Sequence, residues 1–107
     1  MRVWIGAVLL TVTVFCFAAE AWADEIAGKA MAKALCASCH AIAPDDPRPR
    51  PDAPPFVEIA QRYPPEALAE TFAEGAMVGH EDMPEFEFSV EQIESLIAYF
   101  ERLRAAE

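Results

Sequence analysis

The densest chemistry in this 107-residue chain is the run Cys36-Ala37-Ser38-Cys39-His40. Two thiols three positions apart, followed at once by an imidazole, have the spacing at which both sulfurs reach the two vinyl groups of a haem while the histidine turns to its iron. The run therefore reads as a c-type haem attachment site. Rival uses of a C-x-x-C need parts the chain lacks. A thioredoxin-like dithiol needs a βαβ pattern, which is absent. A structural zinc site needs a fourth ligand, for which His80 is the one histidine besides His40. The third cysteine, Cys16, lies in a leader expected to be removed, so both remaining cysteines are used by one attachment site.

A second axial ligand is sought next, and Met83 in Glu81-Asp82-Met83-Pro84 is the candidate. A methionine more often fills gaps in a core than binds a metal. Met83, however, lies in an irregular stretch just before the last helix, and Pro84 biases it towards an extended backbone. It stands 43 positions after His40, enough for a chain that passes once around a cofactor. Met77 and His80 compete for the role within the same stretch. Met31 is on the first helix beside the attachment site and is poorly placed to reach the opposite face.

The segments that position these residues begin after an apolar leader. Met1-Arg2 is a short positive start, Val3 to Ala19 is a 17-residue run without charge, and Ala21-Trp22-Ala23 has small residues where an export peptidase checks. This predicts a cleaved secretory signal over 1–23 and a mature domain over 24–107. The rival is an uncleaved anchor, which would be at the short limit for spanning a bilayer. Phe15 before Cys16 argues against a lipid-attachment cysteine. The leader holds 18 of the 58 apolar residues, leaving 40 of 84 in the remainder, an ordinary globular composition. Eighteen acidic against eight basic residues give a net charge of −10. That excludes nucleic acid and anionic membrane surfaces as natural partners. A core of this size usually needs a staple such as a disulfide, metal or cofactor, and a covalently held haem would supply it.

In the mature chain, Ile26, Ala30 and Lys33-Ala34 predict a first helix over Asp24 to Leu35. Six prolines between Pro44 and Pro55 exclude helix and central strand and predict an ordered loop wrapped around something. Phe56 to Tyr63 suits one or two helical turns ended by Pro64-Pro65. A third helix starts with Pro65 near its first position and stops at Gly75. Ala76 to Phe88 is a loop. Ser89 with Gln92 predicts a capping box for the last helix, with Phe88 able to staple to Ile93 and Val90, Ile93, Leu96, Ile97, Phe100 and Leu103 as its apolar stripe. Arg102 and Arg104 suit the final turns. With no strand pattern anywhere, the class is all-α.

These residues together resemble a small mono-haem class I cytochrome c of the bacterial periplasm. The match rests on Cys36-Ala37-Ser38-Cys39-His40, Met83-Pro84, the terminal run Leu96-Ile97-Ala98-Tyr99, and Gly28 on the first helix. The resemblance implies three to four short helices wrapped around one haem c, held through Cys36 and Cys39 and ligated by His40 and Met83. It implies a close crossing of the first and last helices at Gly28, Leu96 and Tyr99. The family's usual aromatic residue one turn after that glycine is Ala32 here, which implies a looser crossing. It also implies a proline carbonyl that accepts the other ring N–H of the histidine, with Pro54 the match and Pro55 its alternative. Arg48, Arg50, Arg62 and Tyr63 are candidates for the haem propionates.

With both axial positions filled, the expected function is outer-sphere electron transfer by a monomeric, soluble periplasmic carrier rather than an enzyme. Ten acids and no Lys or Arg from Tyr63 to Glu101 point to a redox protein partner with a basic docking surface. Stable membrane insertion after signal cleavage is not expected. Two alternatives remain: a five-coordinate haem that binds a gas or peroxide, and a permanent haem subunit of a dehydrogenase or oxidase.

Overall fold

The computed structural model describes residues 2–3, 6, 11–13, 18–75 and 82–106, with only the backbone described for 18–23. Cys16, Met77, His80 and most of the apolar leader lie outside the described residues. The described chain forms four helices, α1 (Ala18–Leu35), α2 (Phe56–Arg62), α3 (Pro65–Glu74) and α4 (Val90–Ala105), and no strand. The class expected from the sequence is the class found. No helix among the described residues is long and apolar enough to cross a membrane.

The frame is the crossing of α1 and α4. A Cβ built on Gly28 would lie 1.9 Å from the Ser95 carbonyl oxygen and 3.1 Å from Tyr99 Cβ. Only a residue without a side chain lets the backbones approach so closely. One turn on, Ala32 is completely buried, beside Leu96 and Tyr99 in the same core. The looser crossing expected from Ala32 is not found, because a small residue there admits α4. The buried stripe of α1 is therefore Gly28 and Ala32, with Met31 packed at its side. Ile26, Ala30, Lys33 and Ala34, the residues that suggested the helix, are exposed. At the crossing's edge Arg102 Nε meets Glu25 Oε1 at 3.3 Å.

The element ends follow local chemistry. Helix α1 starts at Ala18, six residues before Asp24. Helix α2 is two turns, capped by the Tyr63 N–H bonding to the Ile59 carbonyl. Pro65 opens α3, and Gly75 closes it in the left-handed region at φ +69°. At the start of α4 the Gln92 N–H donates to Ser89 Oγ (3.2 Å) while the Ser89 N–H donates to Gln92 Oε1 (2.9 Å), the reciprocal box expected there. Phe88 meets Phe72 edge-on with ring centroids 5.8 Å apart and stacks on Phe86 at 5.3 Å. The core of Phe56, Ala60, Leu68, Leu96, Phe100 and Leu103 is thus built from α2, α3 and α4, with Phe56 stacked on Phe100 at 4.6 Å.

The proline-rich loop is tied down along its length. The Ala43 N–H donates to Asp46 Oδ2 (3.1 Å), and Arg48 Nη2 donates to the Pro51 carbonyl (2.7 Å). Arg50 grips Asp52 with two bonds, Nε to Oδ1 at 3.1 Å and Nη2 to Oδ2 at 2.8 Å.

Candidate haem site

Cysteine and histidine are delivered by the unwinding end of α1. The Cys36 and Ala37 N–H groups both bond to the Ala32 carbonyl, at 2.8 and 3.1 Å. The Cys39 and His40 N–H groups then turn back to the Cys36 carbonyl, at 3.1 and 2.9 Å. These turns keep Cys36, Cys39 and His40 in one half-buried patch. Burial pushes the Cys36 thiol up to about 11, with Cys39 adding to the shift. That shift is opposite in direction to the one that activates the cysteine of a redox dithiol.

Beyond His40 the chain is anchored twice. The buried Tyr99 hydroxyl of α4 donates to the Ile42 carbonyl at 2.6 Å, and the Phe56 N–H donates to the Ala41 carbonyl at 2.9 Å. His40 Nδ1 donates to the Pro54 carbonyl at 2.7 Å. The neighbouring Pro55 carbonyl is used differently, accepting the Ile59 N–H at 3.1 Å in the first turn of α2. With Nδ1 holding the proton, Nε2 is left as the basic nitrogen of the ring.

Two adjoining cavities share Cys36, His40, Met83 and Phe86. The larger, about 1200 Å³ counting its open part, runs between the His40 turn, α2, α3 and α4, and its walls include Pro54, Phe56, Phe72, Leu96 and Phe100. The smaller, about 540 Å³, brings Cys39 to the same region. An apolar cleft with an imidazole nitrogen, a thioether and two thiols on its walls fits a haem, which needs a greasy slot, two sulfurs to bond and nitrogen or sulfur donors for its iron. Cys36, Cys39, His40, Pro54 and Met83 thus each line one or both of these adjoining cavities. Sequence reasoning did not anticipate the phenylalanine walls, although Phe56 and Phe100 were read as helix-face residues.

The four propionate candidates part company. Arg62 and Tyr63 line the larger cavity, with Arg62 paired to Glu58. Arg50 lines the smaller and is paired with Asp52 and Asp82. Arg48 is occupied by carbonyls of its own loop and lines neither cavity.

An all-helical chain whose first helix ends in this attachment motif, at the mouth of an apolar cleft, defines a small c-type cytochrome. Residues 23–100 match the family described as "Cytochrome C oxidase, cbb3-type, subunit III", and the chain belongs to that family of c-type cytochrome domains. Cytochrome c-552 of Bradyrhizobium diazoefficiens is 34% identical over 82 residues, which is 77% of this chain and 77% of that one. No solved structure matches the chain. Electron transfer through a c-type haem is the function the family carries.

Proposed function

We propose that the protein is an exported periplasmic carrier of single electrons, with one haem c held covalently through Cys36 and Cys39 and ligated by His40 and Met83. The single observation that carries this reading is the bond from His40 Nδ1 to the Pro54 carbonyl. It fixes the tautomer, orients the ring, leaves Nε2 unprotonated for a metal, and has no comparable purpose in a disulfide or dithiol site. The haem, when bound, supplies a one-electron iron couple whose potential a thioether ligand raises. The chain's own residues do the rest. Phe56, Leu96 and Phe100 are buried in the cleft wall and exclude water. Met83 is half-buried and lines both of the cavities that His40 lines.

Export rests on the leader, removed after Ala23, so that Asp24 begins a monomeric mature chain. The partner is a redox protein with a basic docking surface, complementary to the acidic stretch from Tyr63 to Glu101, and transfer to it slows as salt rises. The family's name, an oxidase subunit, favours a second reading, a subunit held permanently in an oxidase. Copurification with such an assembly would distinguish the two.

The test is a mass and a spectrum. The periplasmic protein should weigh as the chain from Asp24 plus one haem, and its ferric form should show the weak sulfur-to-iron band. Met83→Ala should abolish that band, admit carbon monoxide to the ferrous protein and lower the potential, while Met77→Ala and His80→Ala leave all three unchanged. A haem-free mass, or these changes in Met77→Ala or His80→Ala but not in Met83→Ala, would overturn the assignment.

A further inference from the structure

The proline-rich loop reaches both sides of the cleft. Its Pro54 carbonyl holds His40, and four residues earlier Arg50 Nη2 lies 3.3 Å from Asp82 Oδ2, next in sequence to Met83. We propose that Arg50 is a positioning residue that latches the Met83 loop through Asp82; the inference rests on the reading of Met83 as an iron ligand.

Three observations support the latch. Among the described residues, segment 82–88 makes no main-chain hydrogen bond to another part of the fold. Its ring attachment is Phe88, packed edge-on against Phe72 and stacked by Phe86 of the same segment, and its polar attachment is the Asp82 carboxylate, so a single polar contact carries much of its fixation. Arg50 is also oriented beforehand. Its two bonds to Asp52 already fix the planar guanidinium, and reaching Asp82 costs little further side-chain freedom. An isolated exposed pair is worth little, but a geometrically fixed one within a network is the exception. Finally, Arg50, Asp82, Cys39 and Met83 line the same small cavity, so the ion pair, though exposed, lies at the cavity that Met83 lines rather than at a remote surface.

The alternative use of Arg50 is a haem propionate, and the experiment separates the two. In the ferric holoprotein, imidazole replaces a methionine ligand only as fast as the sulfur leaves, so its binding rate reads the hold on the loop. Arg50→Gln and Asp82→Asn should each speed imidazole binding about two- to five-fold, the range of one networked ion pair. The double variant should be no faster than either single one. The exchanged pair Arg50→Asp with Asp82→Arg should recover part of the loss. At 1 M salt, where the Debye length is about 3 Å, the unsubstituted protein should approach the variants. Global unfolding midpoints should hardly move, which separates a latch from general destabilisation.

Acceleration in Arg50→Gln but not in Asp82→Asn would assign the arginine to another partner and overturn the latch. So would additive effects in the double variant. Met83→Ala serves as the control. If it abolishes the sulfur band while neither Arg50→Gln nor Asp82→Asn changes the imidazole rate, the latch alone fails. If Met83→Ala keeps the band, the ligand assignment fails and the latch falls with it.

Discussion

The two sides of the cleft are held by different means. On the His40 side every few residues are fixed by a hydrogen bond: Cys39 and His40 to Cys36, Ile42 to Tyr99, Ala41 to Phe56, and the imidazole to Pro54. On the Met83 side the described loop is held by the Phe88 ring against Phe72 and by one ion pair, and its next firm anchor is the Ser89 cap. Buried hydrogen bonds are directional and costly to leave unmade, whereas ring contacts tolerate sliding. The His40 side therefore opens only when the α1–α4 frame opens, and the Met83 side can yield locally while the frame stays intact. Under the proposed ligation by His40 and Met83 this division would benefit a carrier, because the histidine would keep its geometry while the weaker thioether is adjusted by a short loop.

The largest break in this comparison is expected at the frame. Gly28→Ala places a methyl group 1.9 Å from a main-chain carbonyl oxygen that belongs to α4 and cannot rotate away. The gain in helix propensity, about 1 kcal/mol, is smaller than the overpacking cost, which should reach or pass the roughly 3 kcal/mol upper end of its usual range. Denaturant unfolding should show the loss, and haem incorporation should fall with it because α1 delivers both cysteines. A variant as stable as the parent would mean that α1 and α4 do not cross at this glycine.

Tyr99→Phe tests the His40 side more finely. It keeps the ring and leaves the Ile42 carbonyl without its donor, which should cost about 1–3 kcal/mol. It should leave the imidazole-binding rate of the ferric protein unchanged, since the Met83 loop is not touched. Burial pushes the Tyr99 hydroxyl above its ordinary pKa, with Asp46 and Glu25 adding to the shift. The neutral form is then preferred more strongly in the folded state than in the unfolded one. Its contribution is complete below the ordinary tyrosine value near 10 and is lost as pH rises through the folded value. Tyr99→Phe should accordingly flatten the alkaline fall in stability, and an unaltered fall would remove Tyr99 as its source.

What the sequence disclosed and what it hid follow the same divide between local and distant contacts. The attachment motif, the Gly75 stop and the Ser89–Gln92 box were legible because each is a short run whose partners lie within a few residues. The buried face of α1 was misread, because Ile26 and Ala30 follow helical spacing while the face that packs is made of Gly28 and Ala32. Small residues carry no hydropathy signal, and that crossing entered only through family resemblance. Ser95, the residue that meets Gly28, gave no signal, since its contribution is a main-chain carbonyl. The long-range bonds around the cleft span 57 positions from Ile42 to Tyr99 and 32 from Arg50 to Asp82. No periodicity in one chain reports contacts of that range. The proline-rich stretch could be read as ordered from its composition, but not as the element that reaches both sides.

The smallest expected effect lies where the Met83 loop meets α4. Ser89 Oγ satisfies the Gln92 N–H, and the Gln92 side chain answers to the Ser89 N–H, so both bonds depend on this one residue adopting its extended capping conformation. Ser89→Ala removes the hydroxyl acceptor and should cost about 1 kcal/mol, within the usual range for a lost cap. The first turn of α4 is exposed at Val90, Glu91 and Gln92, so fraying there uncovers little apolar surface and leaves the Gly28 crossing in place. Its consequence should instead run backwards along the chain, through Phe88 and Phe86 to Met83. Ser89→Ala should therefore quicken imidazole binding to the ferric protein while Tyr99→Phe, at an equal or greater cost in stability, does not. Should the two variants change ligand exchange in proportion to their losses of stability, the cleft would open as one unit and the division between its sides would be wrong.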